Sequence, residues 1–172
     1  MTSAISQGRQ IPLVSVGMPA YNSAPTIQSA LDCILSQTFK DFELIVSDNC
    51  STDDTWSIVE EYARRDPRVF GIRQAENVGA NGNYSAVFRA SRGRYFKWAS
   101  SNDWCAPEFL ERCVDYLESH ADVVLVAPRT RLFEGSVTDF VEYDRDYAFE
   151  QEDRVDRFTH INRQLALNNV LN

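Results

Sequence analysis

The stretch FELIVSDNCSTDDT, residues 42–55, decides the fold class. Its first half, FELIVSD, is an apolar and β-branched run that predicts a buried strand. Ser51 and Asp54, which lies three residues later, predict an N-terminal cap for the helix that follows. The apolar positions of that helix recur at helical spacing at Trp56, Val59, Tyr62 and Ala63. A strand, a polar loop and an amphipathic helix in this order indicate one unit of an α/β sheet.

The same unit recurs outward from this stretch in both directions. Further strands are predicted at 13–19, 69–73, 94–100 and 123–128, with helices between them. Asn22 and Ser23 are cap candidates for the first helix, and Pro25 and Pro107 mark helix starts. Residues 129–150 are predicted as strands or loop, and a last helix is predicted around 155–165. We therefore expect an α/β fold, with a mostly parallel sheet flanked by helices.

Composition and charge exclude several classes of protein. A chain of 172 residues with a net charge of -8 suits one globular domain and disfavours a nucleic-acid partner. The four cysteines lack metal-ligand spacing, so free thiols are expected rather than a zinc site. The N-terminus is polar and no long apolar run occurs, which predicts neither a signal peptide nor a membrane span. We expect a cytoplasmic protein, with peripheral association at the inner face of the membrane as an alternative.

Polar residues follow three of the predicted strands, in loops at 19–22, 48–53 and 100–104. The carboxyl ends of parallel strands share one edge of a sheet, where ligands bind in such folds. No glycine-rich phosphate loop follows the first strand. Asp48 is suited to accept the N3–H of uracil or thymine, a donor that cytosine lacks, while Tyr21 lies against the base. The alternative is that Asp48 caps a turn and Tyr21 packs in the interior.

Residues 12–55 and 76–104 resemble family 2 glycosyltransferases of the GT-A fold, which is Rossmann-like. The resemblance rests on the order of a strand, Pro-Ala-Tyr-Asn at 19–22, a helix and the Asp48 loop, and then on ENVGANGN at 76–83. It implies transfer of a sugar from a UDP- or dTDP-sugar, with inversion, to a glycan or lipid-linked acceptor, as in polysaccharide biosynthesis. It also implies Mg²⁺ or Mn²⁺ as cofactor. The nucleotide-binding residues that it implies are Pro19, Ala20, Tyr21, Asn22, Asp48, Asn77, Gly79, Asn83, Ser101 and Asn102.

The loop at 100–103 departs from the family's D-x-D metal motif. Ser100 and Asn102 stand at its acidic positions, and Asp103 is the only carboxylate left. Because divalent cations prefer anionic oxygen, a neutral amide in the motif weakens the expected site. Asp103 is therefore predicted either to bind the metal or to cap the helix that Pro107 begins.

The resemblance also leads us to divide the chain into three parts. Residues 1–11 are expected to form a flexible arm, 12–128 the nucleotide-sugar-binding domain, and 129–172 the start of an incomplete acceptor-side region. No catalytic base is assigned, since the acidic stretch at 139–153 is also typical of a solvated surface. The chain alone is expected to be inactive.

Two other functions stay open. One is a non-catalytic nucleotide-sugar-binding module, and the other is a flavodoxin-like or receiver domain, which the first loop disfavours because it lacks acidic residues. His120 and His160 are expected at surface or cap positions, and Lys97 and Trp98 in sheet packing.

Overall fold

The computed structural model of the chain describes residues 10–128, 130–133 and 140–143. Four βα units run along the chain and are followed by a hairpin. In order, the elements are β1 Val14–Ala20, α1 Ile27–Leu35, β2 Phe42–Asp48, α2 Thr55–Arg65, β3 Val69–Arg73, α3 Gly79–Ala90, β4 Tyr95–Trp98, α4 Phe109–Ser119, β5 Thr130–Phe133 and β6 Phe140–Tyr143. Two compact units divide after Asp122, and the antiparallel pair of β5 and β6 belongs to the second unit.

The first unit contains a sheet in the order β3-β2-β1-β4, in which every pair of neighbours is parallel. This confirms the predicted α/β fold. In the register of β1 and β2, Ala20 lies beside Asp48, so the ends of the two central strands coincide. Because side chains alternate along a strand, Val16 and Met18 share one face of the sheet, and both are fully buried there.

The core lies on this face and includes side chains of α1, α2 and α4, among them Leu31, Val59 and Leu110. The opposite face is covered by α3, which comes very close at Gly17. A Cβ at Gly17 would lie 2.4 Å from Cγ1 of Val87 and 2.7 Å from Cζ of Phe96. Glycine at this position therefore allows α3 to approach the sheet.

A buried ionic network joins β1, β2 and the turn before β4 at the amino end of the sheet. Glu43 Oε1 accepts hydrogen bonds from the Ser15 hydroxyl (2.7 Å) and from the Arg92 backbone N–H (3.0 Å). Glu43 Oε2 accepts from Nε (3.1 Å) and Nη2 (2.6 Å) of Arg92. Gly93 allows this turn to pass close to the strand, since a Cβ there would lie 2.5 Å from the backbone nitrogen of Ser15.

One predicted strand is wrong. Residues 123–128 have no regular secondary structure, and the side chains of Val124 and Leu125 are 92% and 73% exposed. A β-branched run forms a strand only where a neighbouring strand takes up its backbone hydrogen bonds, and within the described ranges no strand pairs with this run.

Other predictions fall outside the described residues. These are the arm at residues 1–9, the last helix at 155–165 with His160, and the acidic stretch apart from 140–143. In the part of the chain that the structure describes, no helix is both long and apolar enough to cross a membrane.

Candidate functional site

The loops after β1 and β2 are joined by hydrogen bonds between backbone N–H groups and side chains. The pairs are Asn22 N to Ser51 Oγ (2.9 Å), Thr52 N to Asn22 Oδ1 (3.0 Å), Ser23 N to Thr55 Oγ1 (2.7 Å) and Ala24 N to Asp53 Oδ2 (3.0 Å). Desolvation opposes the ionised form of Asp53, but hydrogen bonds from Thr55 and Ala24 outweigh it and lower the pKa of this carboxyl. The two loops thus form a single rigid wall.

This arrangement overturns the predicted helix caps. Helix α1 begins at Ile27 after Thr26, helix α2 begins at Thr55 after Asp54, and neither start has a side-chain cap hydrogen bond. Asn22 and Ser51, which were predicted as caps, bond across the two loops instead. Short polar side chains satisfy backbone donors wherever these lie nearest, and here tertiary packing brings another loop nearer than the helix start.

Two residues of this wall have left-handed backbone conformations, Asn22 with φ 48° and Cys50 with φ 61°. Such conformations are disfavoured for residues other than glycine, although Asn tolerates them best. They are held here by the hydrogen bonds between the loops. Strained backbone of this kind is typical of binding sites that a surrounding structure keeps in place.

Asp48 lies at the carboxyl end of β2 and is completely buried. Its Oδ2 accepts a hydrogen bond from the Ser51 backbone N–H (3.2 Å) and lies 3.9 Å from Nε of Arg73, whose side chain is half exposed. Its Oδ1 is buried, and no hydrogen-bond partner for it exists among the described residues. A buried carboxylate oxygen without a partner is costly, which makes this oxygen a candidate acceptor for a ligand.

Asn83 supports the same end of the sheet from α3. It is 3% exposed, and its Nδ2 donates to the carbonyl oxygens of Ala20 (3.3 Å) and Ser47 (3.0 Å). It therefore connects the ends of β1 and β2. Its Oδ1 is the other buried side-chain oxygen for which the described part of the chain provides no partner.

The turn at 77–79 is tied to the Asp48 loop by Asn49. Asn49 Nδ2 donates to Asn77 Oδ1, and Asn49 Oδ1 accepts from the Val78 backbone N–H, both at 2.9 Å. Asn77 Oδ1 also accepts from the Gly79 N–H at 2.9 Å. Gly79 has φ 73°, a conformation that glycine adopts without strain, and it starts α3.

The loop after β4 contacts the first loop through Ser101, whose hydroxyl donates to Oγ of Ser23 at 2.9 Å. Ser100 donates to Oδ1 of Asn102, so these two neutral side chains bond to each other. Asp103 is exposed. It is not the cap of α4, because this helix begins at Phe109 after Glu108, five residues further on. The cap alternative for Asp103 is therefore wrong.

A small cavity of about 20 Å³ adjoins this loop. It is lined by Ile34, Lys97, Ala99, Ser100, Asp103, Trp104 and Cys105. Lys97 Nζ donates to the Trp98 carbonyl oxygen at 2.8 Å, and burial lowers the pKa of this lysine despite the nearby Cys105 and Asp103. Trp98 packs edge-on against Phe96 with ring centroids 4.6 Å apart, as predicted for a sheet residue.

Beneath this loop, Cys105 meets Cys33 of α1. Their sulfurs are 3.3 Å apart, and the Cys105 backbone N–H donates to Sγ of Cys33 at 3.0 Å. The hydrogen bond between the two thiols lowers the pKa of Cys33 to about 6 and raises that of Cys105.

The fold thus brings most of the predicted site residues to one edge of the sheet. Asn83 bonds to Ala20, which lies beside Asp48 in the sheet. Asn77 and Gly79 join them through Asn49, and Ser101 joins through Ser23. Tyr21 is half exposed at the end of β1. Asn22 is engaged in joining the loops, and Asn102 is bonded to Ser100.

Sequence reasoning placed Asn49 and Ser51 in the polar loop at 48–53 without assigning either of them as a site residue, and it missed Arg73. Asn49 and Ser51 lie in the polar loop that directly follows Asp48, so their position was a usable signal. Arg73 ends β3 at the same edge of the sheet, and the rule that ligands collect at carboxyl ends of strands would have found it.

The chain has a parallel α/β sheet with polar loops gathered at the carboxyl ends of β1, β2 and β4, the edge at which domains of this class bind their ligands. Residues 15–166 match the sequence profile described as Glycosyl transferase family 2. The chain therefore belongs to this family.

Curated relatives agree with this assignment. Chondroitin synthase of Escherichia coli is 33% identical over 72% of this chain, which covers 18% of that protein. A UDP-Glc:alpha-D-GlcNAc-diphosphoundecaprenol beta-1,3-glucosyltransferase of Escherichia coli, WfaP, is 33% identical over 62% of this chain, which covers 42% of that protein. The chain thus spans less than half the length of either relative.

Solved structures show the same fold. Residues 1–349 of S. aureus TarS in complex with UDP match with a TM-score of 0.59 at 28% identity, covering 63% of this chain and 32% of that one. The mannosyltransferase PcManGT from Pyrobaculum calidifontis, in complex with GDP-Man and Mn²⁺, matches with a TM-score of 0.57 at 29% identity, covering 63% and 33%.

Proposed function

We propose that this chain is the nucleotide-sugar-binding part of a glycosyltransferase that uses a UDP- or dTDP-sugar as its donor. Membership of the family and the names of the relatives support the class of enzyme. Binding of UDP by a structural neighbour supports the class of donor. The observation that argues for the base is the buried, unpartnered Oδ1 of Asp48.

Oδ1 of Asp48 distinguishes between bases by whether they present a hydrogen-bond donor or an acceptor to it. An ionised carboxylate only accepts hydrogen bonds, so the partner of this oxygen must be a donor. Uracil and thymine present N3–H, whereas cytosine presents an unprotonated N3. A cytosine base would put two acceptors against each other in a buried site, which costs the desolvation of both. Asp48 therefore favours UDP and dTDP over CDP.

Tyr21 and Asn83 complete the proposed pocket for the nucleoside. Tyr21 is half exposed where β1 ends, which leaves its ring available to lie against a base. Asn83 fixes the Ala20 and Ser47 carbonyl groups, and thereby the ends of the strands on both sides of Asp48.

The loop at 100–103 is the proposed position of the diphosphate. Its donor set fits a divalent cation only in part, because Asp103 is the single carboxylate beside neutral Ser100 and Asn102, and the described residues contain no cluster of three or more candidate ligands. Mg²⁺ and Mn²⁺ accept such a site when phosphate oxygens and water fill the remaining positions. We propose that Asp103 holds the metal, which when bound neutralises charge on the leaving diphosphate.

The sugar then passes to a glycan or lipid-linked acceptor with inversion. Direct displacement of this kind needs a general base at the acceptor hydroxyl. We assign no residue to that role. The binding of the nucleotide and the transfer of the sugar are therefore tested separately.

Binding is tested by thermal unfolding of the purified chain with UDP, dTDP, CDP and GDP, each with Mn²⁺. A ligand that binds only the folded state raises the melting temperature, and at equal concentration the ligand that binds more tightly raises it more. We expect UDP and dTDP to raise it more than CDP. GDP, whose guanine N1–H also donates, tests whether the pocket admits a purine. Equal shifts with UDP and CDP would contradict the role of Asp48, and a larger shift with GDP would contradict the choice of a pyrimidine.

Catalysis is tested by incubating the same chain with UDP-sugars and measuring the release of UDP with and without lipid-linked acceptors. Release that depends on the acceptor would support the transferase. Binding of UDP with no release from any donor is the result expected for this chain alone, and a non-catalytic nucleotide-sugar-binding module predicts the same result.

A further inference from the structure

We propose that Cys33 and Cys105 form a reversible disulfide under oxidation, which fastens the loop after β4 to helix α1. Their sulfurs lie 3.3 Å apart, although the two residues are 72 positions apart in the chain. A disulfide needs a separation of about 2.05 Å, so the sulfurs must approach by little more than 1 Å. Small rotations of two short side chains supply such a movement.

The backbone around the two residues is already held in place. The Cys105 N–H donates to Cys33 Sγ at 3.0 Å. Gln37, which is completely buried, binds the Cys105 segment through its amide, with Nε2 2.8 Å from the Ala106 carbonyl oxygen and 3.3 Å from Cys105 Sγ. Its Oε1 also accepts from the Leu110 N–H at 3.0 Å. Because both ends of the pair are fixed by these bonds, closing the disulfide costs little further ordering.

A small cavity lies beside the pair. Cys105 lines the cavity of about 20 Å³, which holds one water-sized molecule, together with Lys97 and Asp103. The lowered pKa of Cys33 adds a thiolate to this arrangement near neutral pH.

Hydrogen peroxide is the oxidant of the proposed reaction. One thiolate of the pair attacks a peroxide oxygen, the O–O bond breaks and hydroxide leaves, so that this sulfur becomes a sulfenic acid. The second sulfur then attacks the sulfenic sulfur, the S–S bond forms and a second hydroxide leaves. The two sulfurs lose two electrons, the peroxide gains them, and with both thiol protons the products are one disulfide and two waters. A dithiol reductant reverses the change by thiol–disulfide exchange.

The disulfide would act next to the proposed metal loop. Asp103 is two residues from Cys105, and α1 belongs to the core. Oxidation would thus restrict the loop that bears Asp103. The formation of the disulfide does not depend on the proposed donor, so its test is independent of UDP.

The test treats the purified chain with hydrogen peroxide, alkylates the remaining thiols and maps disulfide-linked peptides by mass spectrometry. We expect a peptide pair linked through Cys33 and Cys105 in a monomeric chain, with Cys50 and Cys113 still alkylated. Pair oxidation should be roughly tenfold faster than oxidation of either other cysteine. The melting temperature should rise by roughly 5–10 °C and return after treatment with dithiothreitol, because a long loop is closed.

Single variants provide matched controls. Cys33→Ser and Cys105→Ser should each lose the linked peptide and the gain in melting temperature. Cys113→Ser, which removes another half-buried thiol near Lys97, and Cys50→Ser should keep both. Two results with the unmodified sequence would overturn the proposal. One is sulfinic or sulfonic acid at Cys33 or Cys105 without the predicted disulfide, and the other is cross-linking through Cys50 without it.

Discussion

Strand β2 has a buried carboxylate at each end, and the two differ in how they are satisfied. Glu43, 3% exposed at the amino end, accepts hydrogen bonds at both oxygens, from Ser15 and from the backbone and guanidinium of Arg92. Asp48, fully buried at the carboxyl end, has one oxygen bonded to Ser51 and one with no partner in the described structure. Both sites bear the cost of burying a charge, but the protein compensates Glu43 at both oxygens and Asp48 at Oδ2 alone, through Ser51 and Arg73.

This difference distinguishes a carboxylate that the protein satisfies at both oxygens from one that we propose accepts a hydrogen bond from a ligand. Removing one partner of a charge that is buried and fully bonded leaves the other group uncompensated and destabilises the fold, whereas a buried oxygen without a partner is a candidate acceptor for a ligand. The carboxyl end of a parallel sheet is where such donors arrive. The same replacement, carboxylate to amide, should therefore affect folding at one end and binding at the other.

The largest effect is expected for Glu43→Gln. Every group that Glu43 contacts here is a donor, so the new amide must place its NH₂ against another donor, and Arg92 loses its counter-charge. We expect the free energy of unfolding to fall by about 3 kcal/mol. Urea denaturation followed by circular dichroism measures this change, and the preference of the folded fraction for UDP over CDP should be unaltered.

Glu118→Gln is the matched control for this variant. Glu118 pairs with Arg94 at 3.0 Å, but both side chains are well exposed. An exposed pair contributes at most about 1 kcal/mol. The free energy of unfolding of Glu118→Gln should therefore differ from that of the unmodified chain by no more than this amount. A loss at Glu43 no larger than at Glu118 would show that the amino-end network is not structural.

The next effect is expected for Asp48→Asn, measured as UDP affinity by isothermal titration calorimetry. The amide can keep its oxygen toward the Ser51 N–H and turn its NH₂ toward the position of Oδ1. This opposes the donor N3–H of uracil but suits the acceptor N3 of cytosine. We expect UDP to bind about 30-fold more weakly, a loss of about 2 kcal/mol, and the preference over CDP to fall or reverse.

The free energy of unfolding should change much less in Asp48→Asn than in Glu43→Gln. Asp48→Asn removes a buried charge that is only partly bonded, so the free energy of unfolding should change by less than about 1 kcal/mol. If Asp48→Asn instead unfolds the protein as severely as Glu43→Gln, the contrast between the two ends of β2 fails.

The smallest effects are expected in the loop after β4. Asp103 in this loop is exposed, whereas Glu43 and Asp48 are buried. Asp103→Ala should abolish the dependence of UDP binding on Mn²⁺, while Asn102→Asp should strengthen it roughly fivefold by adding an anionic oxygen. Titrations of UDP with Mn²⁺ and with EDTA measure both changes. If the Mn²⁺ effect survives in Asp103→Ala, the metal is held elsewhere.

Much of this fold could be predicted from the sequence because strands and amphipathic helices have their own periodicities. FELIVSD and VFGIR form β2 and β3 over the predicted residues, and the helices predicted between the strands are present as α1, α2 and α3. The strand predicted at 123–128 is wrong because it was inferred from this local pattern alone. A strand also needs a neighbour to take its backbone hydrogen bonds, and local sequence does not contain that neighbour.

The sequence by itself determined which residue types follow the strands and so placed Asp48 at this edge of the sheet, whereas Asn77 and Asn83 were assigned to it by the resemblance to family 2 glycosyltransferases. Only the tertiary structure decided how their hydrogen bonds are distributed. Asn22 and Ser51 joined two loops instead of capping helices, and Cys33 met Cys105 across 72 positions. The physical reason is that a hydrogen bond or a sulfur contact depends on distance in space, while sequence periodicity reports only which face of its own element a side chain occupies.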